Sequence, residues 1–460
     1  MKSSALHRIA SGIPKGLAFF LVSMILLVLG FYRNAWMAAG PKRFIEWQRL
    51  SDAPIVGRLA ESRQAGIFSY GGLIGFGDKA DLSLTGMEYV DHQYDVYENG
   101  GQFAQYLPYP SVIGAQGIAF GLLDRLTSFA PGYQLKLLRG LMAVLSAAVL
   151  SLLVLWLYHE FGWTAAVLST LFMLLSEWLT FYGGSLYWAA WAFYLPVAAM
   201  GLYLFNPRHR ETDARFPALL ITGTVLTKCL FNGFEFITPP LLMIFAPILY
   251  YALNERWPRG HFVAFSIKTA AYASLGVLIA LAILLAQGAA AEGGWAQSVG
   301  YLAYTIGKRT LGSPESYSGV IADSLSAPTG PVLWNYVVGR AIILPIGRLM
   351  PFAGPALPRT VDVSYLFIFI LFLVITAAYL LTLRGNAASL DRSKVLALMA
   401  TTWLSLLAPL SWFVLFKAHA YIHSQLDFIV WQMPFTLLGF GLCGAIIRSL
   451  VATARPEPLG

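Results

Sequence analysis

Apolar residues gather along this chain in ten blocks, separated by polar stretches of very unequal length. In a window of about 19 residues the blocks fall at 16–36, 137–158, 163–181, 186–205, 216–231, 237–253, 263–287, 364–383, 395–416 and 428–447. Most approach the roughly 20 residues that an α-helix needs to cross a hydrocarbon core. The pattern predicts an all-α polytopic membrane protein of about 10 transmembrane helices, with 1–460 as a single integral membrane domain. The first block follows a tail bearing Lys2, Arg8 and Lys15. Its length and the missing small-residue cleavage site predict a retained anchor, not a removed signal peptide.

Short connections between blocks carry Arg208, Arg210 and Arg215, then Arg256 and Arg259, then Arg384, Arg392 and Lys394. The positive-inside bias assigns these to the cytoplasm. The N-terminal tail and the end bearing Arg448 and Arg455 fall on the same side, so both termini are expected to be cytoplasmic. Two long loops, 38–136 and 288–363, then face the periplasm, with short turns at 182–185, 232–236 and 417–427. Within the first loop, 67–76 and 110–126 are apolar runs too short to span, which predicts interfacial or re-entrant helices. No internal repeat, low-complexity tract, Walker loop or dinucleotide fingerprint is present in the sequence.

Composition sharpens this picture. Hydrophobic residues make up 57% of the chain and charged ones 12%, well under the charged share of about 25% typical of soluble domains. Basic residues outnumber acidic ones by 31 to 23, but the excess flanks the apolar blocks, so no nucleic-acid partner is expected. Cys229 and Cys443 should lie near opposite membrane faces, too far apart for a disulfide.

One apolar block, a long polar loop with an early Asp, many further blocks and a second long loop give the chain its layout. Local phrases add to it: Ser51-Asp52-Ala53-Pro54-Ile55-Val56-Gly57-Arg58-Leu59 and Tyr109-Pro110-Ser111-Val112-Ile113-Gly114-Ala115-Gln116-Gly117. Together these resemble bacterial integral membrane glycosyltransferases of the GT-C class. The resemblance implies transfer of a sugar from a polyprenyl-phosphate donor to a periplasmic acceptor, with a first-loop carboxylate as base. An acceptor hydroxyl attacks well only as its proton leaves, and a positioned carboxylate takes that proton. Asp52, about fifteen residues beyond the first block, is the catalytic candidate. The other reading of Asp52 is a helix N-cap before Ala53-Pro54. Arg58 follows within two helical turns and is a candidate for the donor phosphate.

A departing polyprenyl phosphate builds negative charge that fixed cations stabilise. Lys417, His419 and His423 offer this in the turn between the last two blocks, the histidines one helical turn apart. Snorkelling of Lys417, with the histidines at the interface, is the alternative, and zinc lacks an HExxH companion. Asp91, in the acidic cluster with Asp95 and Glu98, is either a substrate contact or solvated charge. No obligatory metal or cofactor is expected. Glu177, Lys228 and Glu235 lie at the periplasmic ends of blocks, where ionisable groups are functional candidates by default. Glu235 is a substrate-binding candidate, or else pairs structurally with Lys228. Tyr187 and Trp188 either line a sugar groove or belong to an aromatic belt. Gln116 either bonds a sugar hydroxyl or packs the loop. In the second loop Arg340 and Arg348 flank apolar 341–346, a stretch that either lies on the membrane and guides an anionic lipid head toward the site or reflects generic attraction to anionic lipid.

The function expected is an inverting transferase of the bacterial inner membrane. Its donor would carry a hexose or a pentofuranose such as arabinofuranose, and its acceptor would be a lipid-linked glycan, a lipopolysaccharide or O-antigen, or a protein such as a pilin. A transporter or flippase of lipid-linked sugars, or an O-antigen ligase or polymerase, is the alternative. The visible asymmetry of the chain speaks against two related transporter halves.

Overall fold

The computed structural model describes residues 15–78, 86–207, 209, 215–310, 312–344, 346, 360–383 and 390–453. The chain opens with α1 (Lys15–Arg33) and then α2 (Pro41–Ala65). A short antiparallel pair, β1 (Gly75–Gly77) and β2 (Tyr106–Pro108), brackets α3 (Gly86–Asn99). Next come α4 (Ala115–Leu126), the long α5 (Pro131–Phe161), α6 (Trp163–Leu175), α7 (Glu177–Gly183), α8 (Ala190–Phe205) and α9 (Arg215–Asn232). The helices α10 (Thr238–Met243), α11 (Phe245–Asn254), α12 (Arg259–Glu292), α13 (Trp295–Arg309), α14 (Val320–Ser326) and α15 (Thr329–Val338) follow. A second antiparallel pair, β3 (Arg340–Leu344) and β4 (Val361–Ser364), precedes α16 (Tyr365–Thr382), α17 (Leu390–Ser405), α18 (Leu407–Leu415), α19 (Lys417–Ile422) and α20 (Phe435–Thr453).

Among the described residues, six helices are long and apolar enough to cross a membrane: Lys15–Arg33, Pro131–Phe161, Arg259–Glu292, Tyr365–Thr382, Arg392–Leu415 and Asp427–Val451. The other four expected spans correspond to shorter apolar helices, Trp163–Leu175, Ala190–Phe205, Pro217–Asn232 and Thr238–Asn254. Breaks within the apolar stretches have visible causes. Ser176 leaves helical geometry between α6 and α7, caps α7 by accepting from Leu179 N, and bridges to Ile342 of β3. Proline explains two further breaks, because its ring clashes with the carbonyl four residues earlier. The helix α10 ends at Met243, four before Pro247, and α17 ends at Ser405, four before Pro409.

Two local expectations are corrected. Residues 67–76 hold a tight turn, with Tyr70, Gly71 and Gly72 at positive φ, and the start of β1 in place of a helix. Only the second run is helical, as α4, entered through Gly114 at φ 65°. Residues 341–344 are not a surface segment. They form β3, with Ala341, Ile342 and Ile343 buried. Arg348, like Arg208, Arg210, Arg384 and Arg455, lies outside the described residues.

The helices α1 and α5 pack side by side, with a buried hydrogen bond from Ser23 Oγ to Ser151 Oγ at 3.2 Å. Such small polar contacts let apolar helices approach closely. The 31 residues of α5 give an axis of about 46 Å at the usual rise. At its far end Glu160 accepts from Tyr250 and Tyr251 hydroxyls at 2.8 and 2.9 Å and meets Lys394 Nζ at 3.3 Å. At its near end α2 to α4, the turn after α7, the turn after α9, α13 to β3, and α19 crowd together. Chemical variety concentrates at that loop-rich end. Cys229 and Cys443 are both buried and free.

Candidate functional site

Asp52 lies inside α2, not at its N-cap, so the capping role is overturned. Pro54 sits two residues on and is carried within the same helix. The Asp52 side chain points into the protein and has no exposed surface. Its Oδ2 accepts from Arg139 Nε at 2.8 Å, and its Oδ1 accepts from Leu186 N at 2.8 Å and Ser185 Oγ at 3.0 Å. Burial pushes the carboxyl above its usual range, against the opposing pull of the Arg139 guanidinium. Arg139 also donates from Nη2 to the Tyr94 hydroxyl at 3.0 Å, which in turn donates to the carbonyl of Arg49 at 3.2 Å. Arg49 pairs with Asp91, which is the structural place of that predicted substrate contact.

Arg58 and Lys417, two of the cations expected to hold phosphate, are engaged by backbone. Arg58 donates to the carbonyls of Ser69 at 2.8 Å, Gly66 at 2.8 Å and Ile67 at 2.6 Å, closing the turn that follows α2. Its side chain is buried against Tyr106. Lys417 Nζ donates to the carbonyl of Leu325 at 2.8 Å.

The remaining candidates meet. Glu235 occupies the turn between α9 and α10, where Gly233 and Phe236 take positive φ. Lys228 braces this turn by donating to the carbonyls of Gly233 and Glu235 at 2.9 and 2.6 Å. The expected link between Lys228 and Glu235 therefore runs to backbone oxygen. Arg309 Nη1 donates to Glu235 Oε1 at 2.7 Å, and its Nη2 donates to the Tyr109 hydroxyl at 3.0 Å. His419 Nε2 stands 3.3 Å from Glu235 Oε2, while its Nδ1 is hydrogen-bonded to Asp427 Oδ2 at 3.2 Å. Trp412 Nε1 donates to the same Asp427 oxygen at 2.7 Å. The His423 ring lies 4.5 Å from that of His419, so the one-turn spacing does put both on one face.

Electrostatics in this cluster follow from competition between burial and neighbours. Burial alone would raise Glu235, but the charges of Arg309 and His419 outweigh it and hold the carboxyl far below the usual range. Burial alone would discharge His419, but Asp427 and Glu235 prevail and raise its pKa to about 9. Burial and the adjacent His419 cation lower His423 to about 4, so it is neutral at pH 7.

Asp52 and Glu235 belong to one connected network. Asp52 fixes the start of the 185–188 turn, Ser185 Oγ accepts from Trp188 N at 3.3 Å, and Gln116 Nε2 donates to the carbonyl of Tyr187 at 3.1 Å. Asn232 Nδ2 donates to the carbonyl of Trp188 beside the Glu235 turn. Gln116, Tyr187, Trp188, Glu235, His419 and His423, scattered over some 300 residues of sequence, thereby converge. Tyr109, Tyr187, Arg309 and His423 keep part of their surface exposed at the edge of the cluster. Sequence reasoning missed Arg139, Arg309, Asp427 and Tyr109 as site members. Arg139 did carry a signal, a charge inside an apolar block.

On the other side of Arg139 a cavity of about 380 Å³ opens where α1, α2 and α5 meet. Its charged lining is Arg33, Arg49, Lys136 and Arg139, with no acidic side chain in the wall. Among the described residues, no group of three or more His, Cys, Asp or Glu side chains is arranged to hold a metal ion. No protein-family model, curated protein or solved structure matches the chain.

Proposed function

We propose that this chain is an integral membrane glycosyltransferase resembling the GT-C class, with the ten apolar helical segments placed across a bacterial inner membrane. It moves a sugar from a polyprenyl-phosphate donor to an acceptor at the loop-rich end. Asp52 carries the reading. It is a carboxylate with its pKa pushed upward by burial, held in fixed geometry by three donors, Arg139 of α5 and Ser185 and Leu186 of the turn after α7. A carboxyl moved toward neutral pH is better matched to proton abstraction than an ordinary one. The acceptor hydroxyl takes the place of the Ser185 hydroxyl on Oδ1 and gives up its proton there. Its oxygen forms the bond to the anomeric carbon, and the phosphate leaves with the electron pair of the broken bond. One direct displacement inverts that carbon. Gln116, Tyr187, Trp188 and the Glu235 cluster supply the substrate contacts.

Glu177, Lys228 and Glu235 would be the charged pathway of a transporter, but each has fixed partners. Glu177 is held by Arg43 and Arg340, Lys228 by two carbonyls, and Glu235 by Arg309. That arrangement favours the transferase. Transfer of labelled sugar from polyprenyl monophosphate donors in purified membranes tests it, comparing the wild-type chain with Asp52→Asn at matched expression.

A further inference from the structure

The cations expected to hold phosphate are engaged elsewhere: Arg58 and Lys417 by carbonyls, His419 by two carboxylates. Other cations remain available. Arg33, the last residue of α1, and Lys136, in the second turn of α5, are both exposed and have no carboxylate partner among the described residues. Both line the cavity of about 380 Å³, together with Arg49 and Arg139. The latter two are already paired outward, with Asp91 and Asp52, which stand behind the wall and not in it. The cavity therefore presents an excess of positive charge.

Position decides what kind of anion fits. The helices α1 and α5 are two of the helices apolar enough to cross a membrane, and the cavity opens at the end where both leave their apolar stretches. That depth is where lipid head groups lie. Phe31, Tyr32, Phe44 and Ile45 add apolar and aromatic wall beside the cations, and Ile45 is 59% exposed. A cation cluster against an apolar flank at the bilayer edge suits a group that is anionic at one end and hydrocarbon at the other.

We propose that the α1–α2–α5 cavity binds the phosphate head group of a membrane lipid, with Arg33 and Lys136 as the primary contacts and Arg139 linking the bound phosphate to Asp52. Where that lipid is a polyprenyl phosphate, the proposal rests on the transferase reading and places its donor. The binding itself does not depend on any transfer.

The test is equilibrium binding to the purified full chain in neutral detergent, with three probes: a polyprenyl monophosphate, phosphatidylglycerol and inorganic phosphate. The wild-type chain is compared with an Arg33→Ala/Lys136→Ala double variant and with Arg33→Lys/Lys136→Arg, which keeps both charges. Arg259→Ala, an exposed cation at the opposite end, is the control. Each cation near a lipid surface is worth on the order of 1 kcal/mol, so the double alanine variant should bind lipid roughly thirtyfold more weakly. The charge-keeping variant should stay within a few fold of wild type, and the control should be unchanged. A polyprenyl preference identifies the donor, and equal binding of phosphatidylglycerol identifies a general lipid site; both support a lipid phosphate in this cavity. Undiminished binding by the double alanine variant overturns the proposal, as does inorganic phosphate binding as tightly as lipid. Transfer activity is scored separately, so a chain that binds lipid without transferring sugar keeps this inference and loses only the enzyme reading.

Discussion

Arg139 and Asp52, 87 residues apart in sequence, meet through a 2.8 Å hydrogen bond from Nε to Oδ2, and the carboxylate they share has no exposed surface. One partner comes from an apolar helix and the other from the loop that follows α1. The contact thus ties the loop-rich end to the membrane bundle.

Replacing Arg139 by Leu should be strongly destabilising, because it leaves a buried carboxylate without a counter-ion, a change that costs about 3–5 kcal/mol. Thermal unfolding in detergent should show a large drop. Adding Asp52→Asn to the same chain should recover part of it, since the stranded charge is then gone. Equal stability of wild type and Arg139→Leu would mean that the pair contributes little.

His419 predicts a pH dependence with a definite sign. Its pKa rises from 6.5 to about 9 on folding, so the folded state holds its proton more tightly than the unfolded chain does. The stabilisation is fully present below about pH 6.5 and is lost as pH rises through about 9. Its size is on the order of 3 kcal/mol. Melting temperature measured from pH 6 to pH 10 should fall more steeply for wild type than for His419→Gln. Parallel profiles would remove His419 from the ion network.

Gly57 carries a steric requirement. A Cβ there would sit 2.6 Å from the carbonyl oxygen of Gly75 and 2.9 Å from Gln93 Oε1. Gln93 is itself committed to the amide and carbonyl of Gly77 at 2.8 and 3.0 Å, so it has little room to retreat. Gly57→Ala should cost about 1–3 kcal/mol through overpacking, read as a lower unfolding midpoint. A neutral result would show that β1 can shift away from α2.

Arg58→Lys separates a structural role from a phosphate role. A single ammonium cannot reproduce a guanidinium fork across three carbonyls, and unmet carbonyls cost about 1–3 kcal/mol each. The variant should be less stable while the folded fraction keeps its KM for donor. A raised KM at unchanged stability would return Arg58 to the phosphate site.

Hydropathy located the apolar helical segments because burial in lipid demands nearly continuous apolar sequence, and that signal is local. It drew two segments too long, 163–181 against Trp163–Leu175 and 186–205 against Ala190–Phe205, and it did not show the breaks at Ser176 and before Pro247 and Pro409, which depend on single residues inside otherwise apolar runs. The strand β3 was hidden because its pairing with β4 lies about 20 residues away, and Ala341-Ile342-Ile343 reads equally well as buried strand or membrane-facing segment. At the site, Gln116, Tyr187, Trp188, Glu235, His419 and His423 were legible as residue types out of place among apolar neighbours. Their partners were not. Arg309 stood in a long loop with other charges, and Asp427 closed a turn, so only the fold shows that each faces a histidine or carboxylate from another segment.

The most direct test of the central claim is transfer of labelled sugar from a polyprenyl monophosphate to endogenous acceptors in membranes holding the wild-type chain or Asp52→Asn. Folded protein is quantified in both by its monodisperse elution. Wild type should transfer sugar and the variant should lose at least a hundredfold, the lower range for a missing general base, with lipid binding retained. Wild-type membranes that transfer no sugar from any monophosphate donor, or a folded Asp52→Asn chain that transfers as fast as wild type, would contradict it.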